Sequence, residues 1–206
     1  MPANSPETLC RSSTLQRDWM LIPEIETDRL RLRRFSPHDL AALSLLFSDP
    51  EVVRYIGTGA MAAPDEIPTH LTSLREKYWR EYCFGRWVIE DRISGDFIGY
   101  CGLRVNEGLP ELHYVLARAW WFAGLATEAA SACLWYGFEK LSLKEIIALV
   151  RPENIASINV LKKLGMNFTG RQETFFDHTF HYYSVSATGW QPGNAAFTVR
   201  LLVSDD

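Results

Sequence analysis

The chain has little of several things that would narrow its function at once. Its 206 residues include only four cysteines, Cys10, Cys83, Cys101 and Cys133. None are in C-x-x-C spacing, so neither a disulfide-stapled miniature fold nor a structural zinc site is expected, and the thiols read as free in a reducing cytosol. His178 and His181, three apart on an expected strand, point to opposite faces, so no metal site is expected there. The net charge is only −4, which argues against broad electrostatic binding to nucleic acid or an anionic membrane. No apolar run approaches the ~18 residues of a membrane span. Residues 1–23 lack a continuous apolar stretch, so they read as a loosely ordered leader rather than a secretory signal. Gly-x-Gly-x-x-Gly, Walker and nucleophile-elbow motifs are missing, and so is any internal repeat.

What remains is ordinary globular material, with 47% hydrophobic and 22% charged residues, enough for one full core. The expected organisation is a leader at 1–23, a single domain at 24–187 and an extension at 188–206. Residues 27–35 alternate Leu30 and Leu32 with arginines, a half-buried strand. Ser36-Pro37-His38-Asp39 then opens a helix. A short helix follows Asp49-Pro50, and a longer one is expected at 68–82. Strands are expected at 86–90 and 97–105, and a Gly-Leu-Pro turn leads to another at 111–116. A helix over 124–140, a strand at 144–150 and a helix at 155–164 follow, then strands at 167–176, 180–187 and 196–203. That order predicts an α/β (α+β) fold: one twisted, largely antiparallel sheet with helices on both faces. The unit 111–150 should be a right-handed crossover between parallel strands.

The most telling segment is Glu111-Leu-His-Tyr-Val-Leu116 with the turn and helix after it. A helix start offers unpaired N–H groups and the positive end of a dipole, suited to an anion such as a pyrophosphate. Gly124 and Ala126 allow close approach of a ligand to the backbone.

Five pieces in order carry a family resemblance. They are Glu26-Thr-Asp-Arg-Leu-Arg-Leu-Arg33, Phe97-Ile-Gly-Tyr-Cys-Gly-Leu103, Glu111-Leu-His-Tyr-Val-Leu116, Gly124-Leu-Ala-Thr-Glu-Ala129 and Arg151-Pro-Glu-Asn-Ile-Ala-Ser-Ile-Asn-Val-Leu-Lys-Lys-Leu-Gly165. Together they resemble the GNAT superfamily of acetyl-CoA-dependent N-acetyltransferases, most nearly its Rim-type branch of ribosomal-protein N-terminal acetyltransferases. The resemblance implies that the strands at 111–116 and 144–150 splay apart around acetyl-CoA. It also implies direct transfer to a primary amine in a ternary complex.

On the same footing, Glu111 is the expected base. His113, where the family usually has glycine, either relays the proton or packs beside the substrate. Tyr114, Val115 and Leu116 are placed along the cofactor, with a backbone amide near Leu116 stabilising the oxyanion. Asn154 meets the cofactor arm and Ser157 the sulfur, although helix capping accounts for Asn154 equally well. A tyrosine common in the family four residues before Gly165 is replaced by Leu161, so Ser157 or water takes its acid role.

In the pyrophosphate loop Phe122 and Ala123 add neither charge nor backbone freedom. Binding would rest on the amides of Phe122, Ala123, Gly124, Leu125, Ala126 and Thr127, with Arg118 as the nearest cation. The aromatic helix bearing Tyr78, Trp79 and Tyr82 is either an acceptor wall or core. The Rim-type resemblance points first to a protein or peptide N-terminus as acceptor, with a small amine or an aminoglycoside-like antibiotic as the alternative, and the protein would be a monomer or homodimer. The altered loop and missing tyrosine leave a non-catalytic acyl-CoA-binding module as the alternative.

Overall fold

A computed structural model describes residues 23–61, 63–192 and 197–200. The expected leader, apart from Pro23, lies outside them. Among these residues nine strands form one sheet: β1 Glu24–Glu26, β2 Leu30–Arg33, β3 Arg86–Asp91, β4 Phe97–Asn106, β5 Leu109–Leu116, β6 Glu145–Val150, β7 Asn167–Phe175, β8 His178–Ser186 and β9 Thr198–Arg200. Five α-helices accompany them: α1 Leu40–Ser48, α2 Pro50–Val53, α3 Ile67–Tyr82, α4 Leu125–Trp135 and α5 Ile155–Lys163. The strand order is β7-β8-β6-β5-β4-β3-β2-β1-β9. Every neighbouring pair is antiparallel except β5 with β6, which the α4 crossover joins in parallel. The mixed, largely antiparallel sheet is therefore as expected.

The alternation of β3, β4 and β5 sorts their side chains into two layers. One face carries Trp87, Cys101, Leu103, Leu112 and Leu116 under α4 and α5, against Ala129, Ala132, Cys133, Ile158 and Leu161. The other carries Val88, Tyr100 and Val115 against Leu43, Phe47, Leu71 and Leu74 of α1 and α3. Trp79 turns its ring edge-on to Trp87 at 4.7 Å, so this member of the aromatic helix is core.

Several boundaries differ from the sequence reading. The strand expected over 27–35 is two strands, because residues 27–30 form a turn. The Thr27 amide donates to the Leu30 carbonyl at 2.9 Å and the Leu30 amide to Thr27 Oγ1 at 3.0 Å. The turn before β5 is Glu107-Gly108, not Gly-Leu-Pro, with φ of 50° and 78°. Positive φ at both central residues is the two-residue hairpin geometry. It fixes a register in which Arg104 faces Glu111 and Gly102 faces His113, without a bulge in β5. The helix expected to Lys140 ends as α-helix at Trp135 and widens into a π turn, Tyr136–Lys140.

Cys101 and Cys133 are free and buried, but Cys83 is disulfide-bonded, which corrects the free thiol expected there; Cys10 lies outside the described residues. Beyond residue 187 the described residues pack on the domain. Trp190 is 5% exposed and meets the Phe138 ring at 5.5 Å, and β9 pairs with β1. The rest of the strand expected over 196–203 is outside the described residues. Among those residues no helix is long and apolar enough to cross a membrane.

Candidate active site

A cleft opens where β5 and β6 part. They share one registered pair, Glu111 with Ile147, and beyond it β6 pairs only with β8. The Ala117 amide donates to Ile98 on the β4 side at 2.8 Å. By antiparallel alternation, Val115 and His113 also spend their backbone groups on β4, while Tyr114 and Leu116 point theirs into the gap. Trp121 Nε1 donates to the Leu116 carbonyl at 2.7 Å, which leaves the Leu116 amide as an open donor on that edge.

Across the gap the Tyr114 hydroxyl lies 2.7 Å from Ser157 Oγ at the start of α5. Burial raises the Tyr114 hydroxyl above its usual range, against the lowering effect of the Ser157 bond, so it keeps its proton at neutral pH. Asn154 caps α5, its Oδ1 accepting from the Ser157 amide at 3.1 Å. The expected capping is therefore present, and it also fixes Ser157 beside Tyr114.

The start of α4 forms the second part. Gly124, at φ 80°, is its N-cap and no side chain caps it, so the first-turn amides keep free donors. Phe122 takes φ 62° and is 93% exposed, a left-handed conformation that costs a non-glycine residue about 1–2 kcal/mol. Arg29, from the β1–β2 turn, clamps this loop. Its Nη1 donates to the Ala123 carbonyl at 2.9 Å and its Nε to Glu128 Oε2 at 2.7 Å. The Thr27 hydroxyl donates to Glu128 Oε1 at 2.5 Å. Glu128, which alone would repel an anion at this helix start, is thus compensated.

The third part lies on the opposite face of β5, under α3. Glu111 is 1% exposed and accepts from Arg104 through both oxygens, at 2.8 and 2.9 Å. His113 stacks on Tyr100 with ring centroids 5.7 Å apart, and its enclosed Nδ1 has no partner. Burial, then the Arg104 and Arg86 cations and His70, hold its pKa well below 6.5. Desolvation and Arg86 bring His70, on α3, down to about 4, so both imidazoles are neutral at pH 7. Arg151, at the end of β6, donates to the carbonyls of Arg54 at 3.1 Å and Gly57 at 2.6 Å. It thereby ties the loop after α2 to the mouth of the cleft.

The sequence matches the family described as "Acetyltransferase (GNAT) domain" over residues 29–167. The chain belongs to the GNAT acetyltransferase family. As a member it is an acetyl-CoA-dependent N-acetyltransferase. It is 36% identical to the Bacillus subtilis uncharacterized protein YkkB over 71% of this chain and 86% of that one. It is 33% identical to the B. subtilis uncharacterized N-acetyltransferase YoaA over 73% and 86%. Its structure is similar to that of Mycobacterium smegmatis RimJ in complex with CoA-disulfide, with a TM-score of 0.67 and 23% identity, covering 80% of this chain and 88% of that one. At that identity the likeness shows the fold, and the Rim-type branch rests on the motifs alone.

The uncapped helix start and the open β5 edge fit an acetyl-CoA co-substrate, which brings a pyrophosphate and an amide-bearing arm. Of the residues singled out in this acetyltransferase, Tyr114, Leu116, Asn154 and Ser157 converge on the cleft, and Gly124, Leu125, Ala126 and Thr127 begin α4. Two others lie elsewhere. Val115 is buried in the α1–α3 core with its backbone turned to β4. Arg118 pairs with Asp49, its Nε 3.3 Å from Oδ2. Arg29 is the cation at the loop, and the sequence reading passed over it because its place depends on folding. Leu161 is 1% exposed in the core, and the Tyr114 hydroxyl stands in the cleft from β5, against Ser157. Arg104 was readable in principle, since the Glu107-Gly108 turn sets it opposite Glu111.

Proposed function

We propose that this acetyltransferase transfers its acetyl group to a small primary amine that enters on the α3-covered face. The observation that carries this reading is the parting of β5 from β6 just past the Glu111–Ile147 pair. Tyr114, Ser157 and the open Leu116 amide stand on its walls, and Glu111 and His113 lie on the acceptor side. Acetyl-CoA, when bound, supplies a thioester carbonyl open to attack.

The first-turn amides of α4 hold its pyrophosphate, helped by the helix dipole and by the Arg29 clamp. The Tyr114 and Leu116 amides hold the arm, and the Leu116 amide donates toward the carbonyl oxygen. An ammonium has no lone pair, so the acceptor must lose a proton. Each Glu111 oxygen keeps a second lone pair beyond its Arg104 bond, and His113 Nδ1 is unpartnered; these accept that proton directly or through water. Tyr114, protonated and held by Ser157, donates toward the departing sulfur. The roof formed by α3 and the Arg151-tied loop favours a small acceptor over a polypeptide terminus.

The test is thiol release from acetyl-CoA with a panel of amines and peptides. Glu111→Gln should lose on the order of 10²–10⁴-fold in turnover while still binding acetyl-CoA. Wild-type rates in that variant, or no acetyl-CoA binding by the native chain, would sink the reading.

A further inference from the structure

Arg86, Gly102 and His113 form one transverse row across β3, β4 and β5. The next rows place Tyr100 on one side of Gly102, and the Arg104–Glu111 pair on the other. Gly102 has no side chain, so this face of the sheet has a notch ringed by Arg86, Tyr100, Arg104, Glu111 and His113. A Cβ at Gly102 would stand 2.1 Å from the Gly85 carbonyl oxygen and 2.5 Å from the Arg86 Cα, so no side chain can stand between the Arg86 and His113 side chains. Its roof is α3, which brings Tyr78 with its ring centroid 5.4 Å from the Arg86 guanidinium carbon, and His70, whose neighbour is Arg86.

Two features of the notch remain unbalanced. Three enclosed nitrogens, Arg86 Nε, His113 Nδ1 and His70 Nε2, have no hydrogen-bond partner, although buried polar groups are almost always partnered. The charges also fail to cancel. Glu111 is committed to Arg104. Arg86 is 8% exposed, and no carboxylate among the described residues pairs with it. An occupant that balances both features carries an oxyanion, which accepts from the Arg86 guanidinium and from a His70 N–H, and an amine, which meets the lone pair of His113 Nδ1.

We propose that the notch around Gly102 binds a carboxylate or phosphate carried by the acceptor amine itself, so that this enzyme acetylates zwitterionic small amines and discriminates against polyamines. The inference rests on the acetyl-transfer reading. The acceptor's nitrogen meets Glu111 and His113 while its oxyanion meets Arg86, in adjoining rows of one face. Acetyl transfer is the same as above: the amine nitrogen forms the new C–N bond, the C–S bond breaks, and the thiol leaves with one proton.

The test measures rates at saturating acetyl-CoA for β-alanine, O-phosphoethanolamine, ethanolamine and spermidine. One or both anionic amines should exceed ethanolamine in kcat/KM by on the order of 10- to 100-fold, and whichever leads decides between carboxylate and phosphate. Arg86→Met should erase that preference by raising the acceptor KM, with the KM for acetyl-CoA unchanged. Equal or better rates with ethanolamine or spermidine overturn the inference and leave acetyl transfer standing. So does an unchanged preference in Arg86→Met. If no amine in the panel is acetylated, calorimetric titration of acetate and inorganic phosphate into both proteins decides. Binding that is lost in the variant upholds the notch, and absent or unaltered binding overturns it.

Discussion

On the face of β5 that bears Leu112, Tyr114 and Leu116, nearly every group has a partner: apolar side chains meet α4 and α5, and the Tyr114 hydroxyl meets Ser157. On the face that bears Glu111 and His113, a few residues away, one ion pair sits among orphaned nitrogens and an uncompensated arginine. The first face gains stability from burial and offers its ligand only a backbone edge and one hydroxyl. The second gives up stability to keep charge and hydrogen-bonding capacity waiting for a ligand. The same strand can serve both because its period of two sends neighbouring residues to opposite layers.

The sharpest way to break this contrast is to remove Glu111. Glu111→Gln leaves Arg104 without its carboxylate, and stability should fall by about 3–5 kcal/mol in denaturant melts. Arg86→Met, by contrast, should melt at or above the wild-type temperature, because a buried cation with no carboxylate partner is replaced by an apolar chain of similar length. Equal losses in the two variants would show that the second face is not charge-imbalanced.

Acid should act on the second face as well. The unfolded chain takes up histidine protons near 6.5, and folded His70 and His113 do so only at lower pH. Their contribution is therefore complete above about pH 6.5 and drains as pH falls toward 4, by up to about 1.4 kcal/mol per histidine per pH unit. His70→Asn should flatten that slope in urea titrations run across this window.

The first face should respond more weakly. Tyr114→Phe removes one hydroxyl and should cost about 0.5–1.5 kcal/mol of stability, while its turnover falls further than its acetyl-CoA affinity. Similar losses in turnover and affinity would make Tyr114 a packing residue only. The smallest effect is expected for Arg29→Ala, whose half-exposed ion pair with Glu128 is worth about 1 kcal/mol or less. It should raise the KM for acetyl-CoA several-fold by loosening the Ala123–Gly124 loop.

Much of the fold was legible in the chain because it is written locally. The α3 helix begins within one residue of its expected start, and Gly124 and Asn154 stand at the two helix starts that frame the cleft. One misjudged boundary, the β1–β2 turn, lies where a side chain, the Thr27 hydroxyl, overrides local propensity.

The site divides in the same way. Glu111, His113, Asn154, Ser157 and the α4 loop announce themselves by motif. Arg29 and Arg86 do not, because one reaches the loop from 94 residues away and the other meets His113 only across an intervening strand. By itself the sequence determined the family chemistry and the order of elements, since periodicity, caps and turn residues act over a few positions. Only the tertiary structure decided which charges face one another. Strand register placed Arg104 on Glu111 and left Arg86 beside a glycine, and register depends on pairing between segments distant along the chain.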